Sequence, residues 1–407
     1  MKQRFLAFLF FLLLSVLTAC AFTHFSSQTE TAASSGSLET GIIAPGQSEP
    51  IGSGFDLEAS SETERFSDSV PPETAAPEAY LSCNAVGKTV VHIPGPADNR
   101  PPYDYVFQPY AFSGIYKLAY GEDVEEEIRG FCDAVLAGED SFPCTGRENW
   151  LHIDQIKDTM LPFCIYVSLY DPQIESGDLY FESLRENGRY PLYYKLPKDE
   201  YLSVVEQFKS RIAELITQAD LREGDSDMEK ALKLYTASSL RIASDYADVG
   251  PFNCYRVLMG DYGICQEIAP AYAYLLLQVG VDAGICGSLS KDGDSAHAWT
   301  MVKLNDTWYH ADVTWQLSDP YGLRYFLIDD DDRDASGFDL QFFNIGEINE
   351  IWHRDFPVDD NSFSQFWNVK WYTIDHDAIC IEYYDDPWLN YQDLTTYQTA
   401  RKTLPLR

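Results

Sequence analysis

The chain has 407 residues and a formal net charge of −35 at neutral pH, with 64 Asp and Glu residues against 29 Lys and Arg residues. Because a chain with this net negative charge repels the phosphates of nucleic acids and the headgroups of anionic lipids, we expect its protein surface to bind neither. An aromatic content of 14% is enough for a sizeable hydrophobic core.

The first 20 residues have the pattern of a secretory leader. Lys2 and Arg4 precede an apolar run that is too short to favour a membrane span, and the run ends in LTAC. This ending resembles a bacterial lipobox, in which the cysteine is lipidated and becomes the mature N-terminus. We therefore predict a lipoprotein signal peptide at 1–20 and lipidation at Cys20. The alternative is an ordinary cleaved signal in which Cys20 has no role.

The remaining chain divides by composition and pattern. Residues 21–82 are rich in Ser, Thr, Glu, Gly and Pro and poor in large apolar side chains, which predicts a disordered tether. We expect this tether to hold the folded part outside the cytoplasmic membrane, with the N-terminal lipid as its only membrane contact. The folded part comprises a small α+β module at 83–198, a domain at 199–335 and a C-terminal extension at 336–407, and we expect a monomer.

The module at 83–198 shows strand-like runs and one predicted helix. The helix is predicted for VEEEIRGFCDAVLAG, whose apolar residues fall on one face. Strands are predicted for the runs KTVVHI, FCIYVSLY, DLYFESL and YPLYYKL. None of these residues forms a recognisable active constellation.

The domain at 199–335 begins with three predicted helices. The first follows Asp199, and the second begins at Ser226-Asp227-Met228-Glu229, which has the pattern of a capping box. Apolar residues at helical spacing predict the third, which begins at or just after Cys265 and ends at Gly280. A cysteine at a helix N-terminus meets unpaired N–H groups and the positive end of the dipole, which favour a thiolate and can hold an oxyanion. Such a cysteine is nevertheless more often a packing residue, so its position alone is weak evidence.

The stretch SAHAWTMVKLNDTWYHADVTW predicts a β-hairpin with Asn305-Asp306 as a two-residue loop. In that register, residues whose numbers sum to 611 face each other, so Trp299 opposes Asp312 and His297 opposes Thr314. His297 and Asp312 then share one face and lie within side-chain reach. An imidazole that donates one N–H to a carboxylate is held in one tautomer, and its other nitrogen can take a proton from a thiol.

A second histidine on the same face competes for this role. His310 lies beside Asp312, but it opposes Met301 and is nearer the turn, so we interpret it as a core or rim histidine. Packing is also the predicted role of the aromatic residues of the hairpin region, Trp299, Trp308 and Trp315.

Metal sites are not indicated by the cysteines or the acidic run. None of the nine cysteines forms a C-x-x-C pair, so we expect no structural metal and few disulfides or none. Apart from Cys20 and Cys265, each is predicted to be a small buried apolar residue. The run IDDDDRDASGFD fails as a calcium loop, because counting from Asp330 places Ala335 at the sixth position and Gln341 at the twelfth. A solvated surface loop is predicted there.

Three stretches in order resemble the transglutaminase-like superfamily in its bacterial secreted branch: GICQEIAPAYAYLLLQVGV, the hairpin and RYFLIDDDD. The resemblance covers about 226–330 and makes 199–335 the transglutaminase-like domain. It implies an α+β papain-like core, in which the helix bearing the cysteine packs on an antiparallel sheet. It also implies Cys265 as nucleophile, His297 as base and Asp312 as the orienting acid. The implied activity is acyl transfer or hydrolysis at amide or peptide bonds of a protein or peptide, through a Cys thioester and without a cofactor.

One departure from the family pattern follows the cysteine. Members often follow the cysteine with a polar residue, Gly, an aromatic residue and Ala, whereas here Glu267-Ile268-Ala269-Pro270 follow Gln266. Pro270 suggests a helix that starts after Cys265 or bends, and Glu267 is unfavourable to a nearby thiolate. This departure keeps a second hypothesis open, in which the scaffold is a catalytically silent surface binding module. The sequence also leaves open whether water or an amine accepts the acyl group.

Overall fold

The computed structural model describes residues 80–83, 89–93, 95–115, 122–172, 188–245, 253–289, 296–335, 344–345, 358–375, 378–385 and 397–406. These residues belong to one unit, Pro77–Arg407. The predicted leader, the lipidation at Cys20, residues 21–79 of the tether and the run DLYFESL lie outside the described residues. Residues 80–82, at the end of the predicted tether, belong to a β-strand, so disorder is not borne out for them.

The helices are distributed over the module and the domain that the sequence predicts. They are α1 (Glu122–Ala137), α2 (Arg147–Met160), α3 (Lys198–Gln218), α4 (Asp227–Arg241), α5 (Cys254–Gly260), α6 (Cys265–Gln278), α7 (Val313–Gln316) and α8 (Asp330–Ala335). Short 3-10 helices occupy Pro162–Tyr166 and Ser364–Asn368. No helix in the described part of the chain is long and apolar enough to cross a membrane.

The strands belong to two larger sheets and three small two-stranded pairings. They are β1 (Tyr80–Cys83), β2 (Thr89–Ile93), β3 (Ser141–Pro143), β4 (Val167–Ser168), β5 (Arg189–Pro191), β6 (Tyr193–Tyr194), β7 (Ala243–Ser244), β8 (Tyr262–Gly263), β9 (Ala283–Leu289), β10 (Ala296–Leu304), β11 (Thr307–Ala311), β12 (Phe326–Ile328), β13 (Asn344–Ile345), β14 (Val369–Asp375), β15 (Ala378–Tyr384) and β16 (Thr399–Pro405).

The helices that local patterns predict are confirmed. In α1 the apolar stripe is buried, with Phe131 and Val135 fully enclosed. At the start of α4 the Ser226 hydroxyl accepts from Glu229 N at 3.1 Å, and the Ser226 N–H donates to the Glu229 carboxylate at 2.9 Å, which is the predicted capping box. Gly280 follows α6 with φ of 83°, a left-handed conformation that costs glycine little.

Two elements of the module differ from the prediction. The first half of the run FCIYVSLY, predicted as a strand, is a 3-10 helix, and only Val167–Ser168 forms a β-strand. Pro162 at the start of that helix has its φ preset for a helical turn, and Phe163 and Cys164 behind it are fully buried. Helix α2 was not predicted, although Trp150, Ile153, Ile156 and Met160 recur at helical spacing and are all buried.

The sheet that carries the predicted hairpin has the strand order β12-β11-β10-β9-β13, and its pairings are antiparallel. Helix α6 packs against β10 and β9. The Thr300 hydroxyl of β10 donates to the Ala269 carbonyl of α6 at 2.9 Å, so a fully buried hydrogen bond fixes the helix on the sheet. The fold class is therefore the predicted one, α+β with the cysteine-bearing helix on an antiparallel sheet.

The second large sheet joins distant parts of the sequence. Its order is β1-β2-β14-β15-β16, and β14 pairs with β2 in parallel. Strand β2 of the predicted module and β1, which covers the end of the predicted tether, thus share a sheet with strands from the predicted C-terminal extension. The domain boundaries at 198 and 335 stay predictions.

Candidate active site

The hairpin between β10 and β11 has the predicted register. Asn305 and Asp306 form the two-residue loop with φ of 49° and 65°, as in a type I′ turn. Leu304 pairs with Thr307, and Met301 pairs with His310. The parity that places His297 and His310 on one side of the sheet is confirmed.

The ladder ends earlier than predicted. Its last pair is Thr300 with Ala311, so the predicted pairings Trp299 with Asp312 and His297 with Thr314 are wrong. Asp312 follows the last residue of β11, and its N–H donates to the Tyr325 carbonyl at 2.8 Å. Its side chain caps α7, with Oδ1 accepting from Trp315 N at 3.1 Å, which is a frequent role of aspartate at helix starts.

Cys265, His297 and Asp312 nevertheless meet. Asp312 Oδ2 lies 2.6 Å from His297 Nε2, and the carboxylate is fully buried. The half-buried Cys265 is the first residue of α6, and its sulfur hydrogen-bonds to the His297 ring and to the backbone N–H of Ala298. Since Nε2 faces Asp312, Nδ1 is the ring nitrogen left for the thiol.

The surroundings of Cys265 favour its thiolate. Burial raises the pKa of the thiol, but the hydrogen bond and charge of His297, together with the Ala298 N–H, outweigh burial. The pKa of Cys265 therefore lies below its ordinary value. Helix geometry adds to this, because the first N–H groups of α6 have no intrahelical acceptor and point towards the start of the helix.

The surroundings of His297 and Asp312 favour their charged forms as well. Burial lowers the pKa of His297, but the charge and hydrogen bond of Asp312 and the contact with Cys265 raise it to about 9. Burial raises the pKa of Asp312, while His297, Arg333 and the Trp315 N–H bring it below its ordinary value. All three pKa shifts are therefore in the direction of a thiolate, an imidazolium and a carboxylate.

Tryptophan rings enclose the imidazole. The Trp315 ring stacks on His297 with a centroid distance of 5.1 Å, and the Trp299 ring does so at 6.0 Å. Trp299 and Trp308 are buried, as their predicted packing role requires. Trp315 is only half-buried, and it stacks on His297, so its role is not packing alone.

His310 is a core histidine, as predicted. It is fully buried, its Nδ1 accepts from Trp299 Nε1 at 2.8 Å, and its Nε2 lies 2.8 Å from Asp330 Oδ1. Both ring nitrogens are engaged by these two residues. His297 is the histidine that contacts Cys265.

The departure after the cysteine does not disturb the start of the helix. Helix α6 begins at Cys265 and continues through Pro270, so the prediction of a later start is wrong. The Glu267 carboxylate is fully buried and paired with Arg256, whose Nε lies 2.8 Å from Oε1. It also accepts from Ile264 N at 3.0 Å, so it caps the helix while Arg256 balances its charge.

A residue that the sequence did not single out completes the site. The acidic run predicted as a solvated loop contains α8, and within it Arg333 is fully buried. Its Nη1 donates to Asp312 Oδ2 at 3.0 Å. The surface-loop prediction is therefore wrong for this helix. The sequence contained one indication of this role, because Arg333 is the single cation in a run of aspartates that follows an apolar strand.

The cysteines follow the predicted pattern with one difference. None of the seven whose side chains the structure describes forms a disulfide, and Cys265 and Cys380 are partly exposed. The other five are buried: Cys132, Cys144, Cys164, Cys254 and Cys286. Cys380 is thus less enclosed than predicted. The side chains of Cys20 and Cys83 lie outside the described residues.

Comparison with known proteins places the site in a recognised kind of domain. The family model described as Transglutaminase-like superfamily matches residues 211–313. No curated protein matches the chain. Among solved structures, one provisionally described as a cysteine protease from Cytophaga hutchinsonii is 12% identical, with a TM-score of 0.25 over 37% of this chain and 45% of that one. One described as a TGase is 14% identical, with a TM-score of 0.24 over 36% of this chain and 50% of that one.

The chain thus spans about half the length of these two structures. Because both TM-scores are below 0.5, the similarity to a known family rests on the family model alone. Cys265, His297 and Asp312 all lie within the matched residues. Residues 211–313 are therefore similar to the transglutaminase-like superfamily, in agreement with the resemblance of the motifs.

Proposed function

We propose that the protein is an extracytoplasmic transglutaminase-like cysteine enzyme that acts on amide or peptide bonds through a thioester at Cys265. The observation that carries this proposal is the connected row of hydrogen bonds from Cys265 through His297 to Asp312 at the start of α6. A thiol, a ring and a carboxylate in this order are the arrangement that activates a cysteine nucleophile.

The first half of the proposed reaction acylates the cysteine. The Cys265 sulfur attacks the carbonyl carbon of a carboxamide or peptide bond, and the C=O electron pair moves to the oxygen. The backbone N–H groups in the first turn of α6 can stabilise that oxyanion. The His297 imidazolium then gives its proton to the leaving amine, the C–N bond breaks, and a thioester remains.

The second half releases the acyl group. Neutral His297 takes a proton from water or from a primary amine as that group attacks the thioester carbon, and the sulfur departs as thiolate beside the reformed imidazolium. Water as acceptor makes the enzyme a peptidase or amidase, and a protein amine makes it a crosslinking acyltransferase. We propose a protein or peptide as the acyl donor in both cases.

The rival hypothesis of a silent binding module loses the feature that favoured it. That feature was the stretch from Glu267 to Pro270, and in the structure it leaves Cys265 at the helix start and pairs Glu267 with Arg256. No described contact separates the thiol from the imidazole. We therefore advance only the enzymatic function.

Thiol labelling across pH tests the proposal directly. Iodoacetamide reacts with thiolates, so Cys265 should label well below pH 8.5, the range in which ordinary thiols begin to react. His297→Ala should move the labelling midpoint of Cys265 upward, because burial then acts on the thiol without the imidazolium. Cys380→Ala is the matched control, since it removes the other partly exposed described cysteine and should leave the Cys265 profile unchanged. A Cys265 profile at the ordinary thiol pH that ignores His297→Ala would disprove the enzyme proposal.

The reaction type requires a separate experiment. The protein and its Cys265→Ser variant are incubated with a peptide library and a primary amine, and the products are identified by mass spectrometry. Peptide cleavage or glutamine deamidation indicates water as acceptor, and amine incorporation indicates acyl transfer. If wild type and Cys265→Ser give the same products, the proposed activity is absent.

We also propose that the enzyme is lipid-anchored through Cys20 outside the bacterial cytoplasmic membrane. The support is the sequence pattern before Cys20 and the polar stretch that follows it. Metabolic incorporation of an alkyne fatty acid into the wild type, and its loss in Cys20→Ala, is the expected result. Equal labelling of both proteins would reject the anchor.

A further inference from the structure

A fully buried arginine lies behind the candidate triad. The Arg333 side chain has no exposed surface, and neither has that of its partner Asp312. The pair is joined by Arg333 Nη1 and Asp312 Oδ2 at 3.0 Å. Burying a guanidinium costs several kcal/mol, and an apolar side chain of similar volume would fill the place without that cost. Packing alone therefore does not account for an arginine here.

Arg333 and His297 bind the same oxygen. Asp312 Oδ2 accepts from Arg333 at 3.0 Å and lies 2.6 Å from His297 Nε2, while Oδ1 accepts from the Trp315 N–H. With the Cys265 thiolate at the other end, the charges alternate along the row: guanidinium, carboxylate, imidazolium, thiolate. The row is neutral in total, which suits a site that is largely closed to water.

The same two indoles contact both cations of the row. Arg333 Cζ lies 3.8 Å from the centroid of the Trp299 ring and 4.7 Å from that of Trp315. These rings also stack on His297. Guanidinium groups bind aromatic faces favourably, so Arg333 can hold the rings that in turn confine the imidazole.

We infer that Arg333 is a positioning residue of the proposed enzyme, which fixes the Asp312 carboxylate and the two indoles around His297 and completes the neutral row of four charges. This inference rests on the proposed function. Arg333 does not touch the reacting atoms of Cys265 in this arrangement and acts through its neighbours.

The inference predicts the direction of two titrations. Without Arg333 the row carries one net negative charge, so both the imidazole and the thiol hold their protons more tightly and the pKa of each rises. An arginine that served only to keep Asp312 in place would give another result, because a displaced carboxylate would let the pKa of His297 fall. The two explanations therefore differ in sign at His297.

Other titratable groups face the row and are left unchanged by the test. Cys286 and Tyr325 lie beside Arg333, and the Tyr235 hydroxyl donates to the Asp312 backbone carbonyl at 3.1 Å. Beyond Trp299 lies the pair of His310 and Asp330. Because these groups are present in every variant, differences between variants report on Arg333.

The experiment compares Arg333→Met, Arg333→Lys and Arg211→Met in the full chain. Arg211 is the matched control, since it is also paired with a carboxylate, that of Asp261 at 2.7 Å, but belongs to α3. The iodoacetamide labelling midpoint of Cys265 reports the thiol. The ¹³C resonance of the His297 ring, assigned by its loss in His297→Ala and followed in a Cys265→Ser background, reports the imidazole. Thermal unfolding verifies that each variant is folded.

We expect Arg333→Met to raise both midpoints by about one pH unit, as loss of one nearby charge in a partly shielded site should do. Arg333→Lys should raise them less, because it keeps the charge and loses the planar contact, and Arg211→Met should leave both unchanged. Unchanged midpoints, or a lowered His297 midpoint, in Arg333→Met overturn the inference. If Arg333→Met does not fold, the inference is tested with Arg333→Lys. Cys265 and His297 midpoints in Arg333→Lys that equal those of wild type would then overturn the inference.

The failure of this inference differs from that of the proposed function. If Cys265 labelling in otherwise wild-type protein is independent of His297, the proposed enzyme fails irrespective of Arg333. If that labelling depends on His297 but not on Arg333, the enzyme proposal stands and only the role of Arg333 is rejected.

Discussion

His297 and Asp312 are joined by a 2.6 Å contact although they belong to different kinds of element. His297 is in the strand β10, and Asp312 is the N-cap of the short helix α7. The strand β11 ends at Ala311, so the carboxylate is not held by the ladder. It is held by the helix it caps, by the imidazole and by Arg333. The orientation of His297 thus depends on the end of the hairpin as well as on its register.

Asp312→Asn should lower the pKa of His297. The carboxylate charge is the main factor that raises this pKa to about 9, while burial lowers it. With an amide in its place, burial dominates, and we expect the His297 midpoint to fall below 6.5 in a ¹³C titration. Turnover of whichever substrate is found should fall by about 10²–10⁴-fold, because the imidazolium is no longer favoured. A His297 midpoint that stays near 9 would contradict the assigned role of Asp312.

The same pair predicts how stability depends on pH. The pKa of Asp312 is lowered by folding, so its contribution is present above about pH 4 and is lost as the pH falls. The pKa of His297 is raised, so its contribution is full below about pH 6.5 and is lost as the pH rises towards 9. The pair therefore stabilises the fold most between about pH 4 and 6.5.

Urea unfolding at a series of pH values measures this dependence. Cys265→Ser is compared with Cys265→Ser combined with Asp312→Asn, since removal of the thiol eliminates its own titration. The difference in the free energy of unfolding should be largest between about pH 4 and 6.5 and decrease on both sides. A difference that is constant from pH 3 to 9 would show that the two groups are not coupled to folding.

The local parts of the site were predictable from the sequence. The two-residue loop at Asn305 and Asp306 fixes the parity of every side chain on the hairpin, so His297 and His310 could be placed on one face. The presence of α6 next to Cys265 and its end before Gly280 followed from apolar spacing and from the glycine, whereas Pro270 suggested a later start. Such features depend on residues close in sequence, so the local pattern of apolar and turn-forming residues is enough to predict them.

The remaining features depend on contacts between distant residues. The Asp312 N–H donates to the Tyr325 carbonyl and its side chain caps α7, and no hairpin pattern contains that information. Arg333 lies in a run whose charge indicates a solvated loop, and its burial is explained by contacts with Asp312 and the two indoles. The parallel pairing of β14 with β2 joins segments far apart in sequence, so period and composition could not specify it.

The buried pair of Glu267 and Arg256 should affect the reactivity of Cys265 with a predictable sign. Arg256→Met leaves the Glu267 charge unbalanced two residues from the thiol, which disfavours a thiolate and should raise the Cys265 labelling midpoint by about half a unit. Glu267→Gln removes the negative charge and keeps Arg256, so the midpoint should stay or fall. Measured by iodoacetamide labelling, a rise in both variants would indicate a distorted helix start instead of an electrostatic effect.

The two variants should also differ in stability. Arg256→Met strands a fully buried carboxylate and should reduce the free energy of unfolding by about 3 kcal/mol. Glu267→Gln keeps the side-chain oxygen that can accept from Ile264 N, and Arg256 remains near Asp245 at 4.0 Å, so a loss of about 1 kcal/mol is expected. Denaturant unfolding of both variants measures these values. Equal losses would contradict the assignment of Arg256 as the group that balances Glu267.

A side chain at position 263 should be sterically unfavourable. A Cβ at this position would lie 2.5 Å from Val257 Cγ2 and 3.1 Å from Glu267 Oε2. Gly263→Ala must therefore move either α5 or the start of α6, and with it Cys265. We expect a loss of about 1–3 kcal/mol in the free energy of unfolding and a raised labelling midpoint of Cys265.

Gly146→Ala is the matched control, because a Cβ there has no heavy atom within 4 Å. Gly146 precedes α2, and its replacement should cost less than 1 kcal/mol and leave Cys265 labelling unchanged. If Gly263→Ala behaves like Gly146→Ala in both denaturant unfolding and labelling, the close approach of Gly263 to Val257 does not position the cysteine. If Gly263→Ala is destabilised but Cys265 labels as in wild type, the glycine serves the packing of α5 alone, and the helix start is fixed by Glu267 and Arg256.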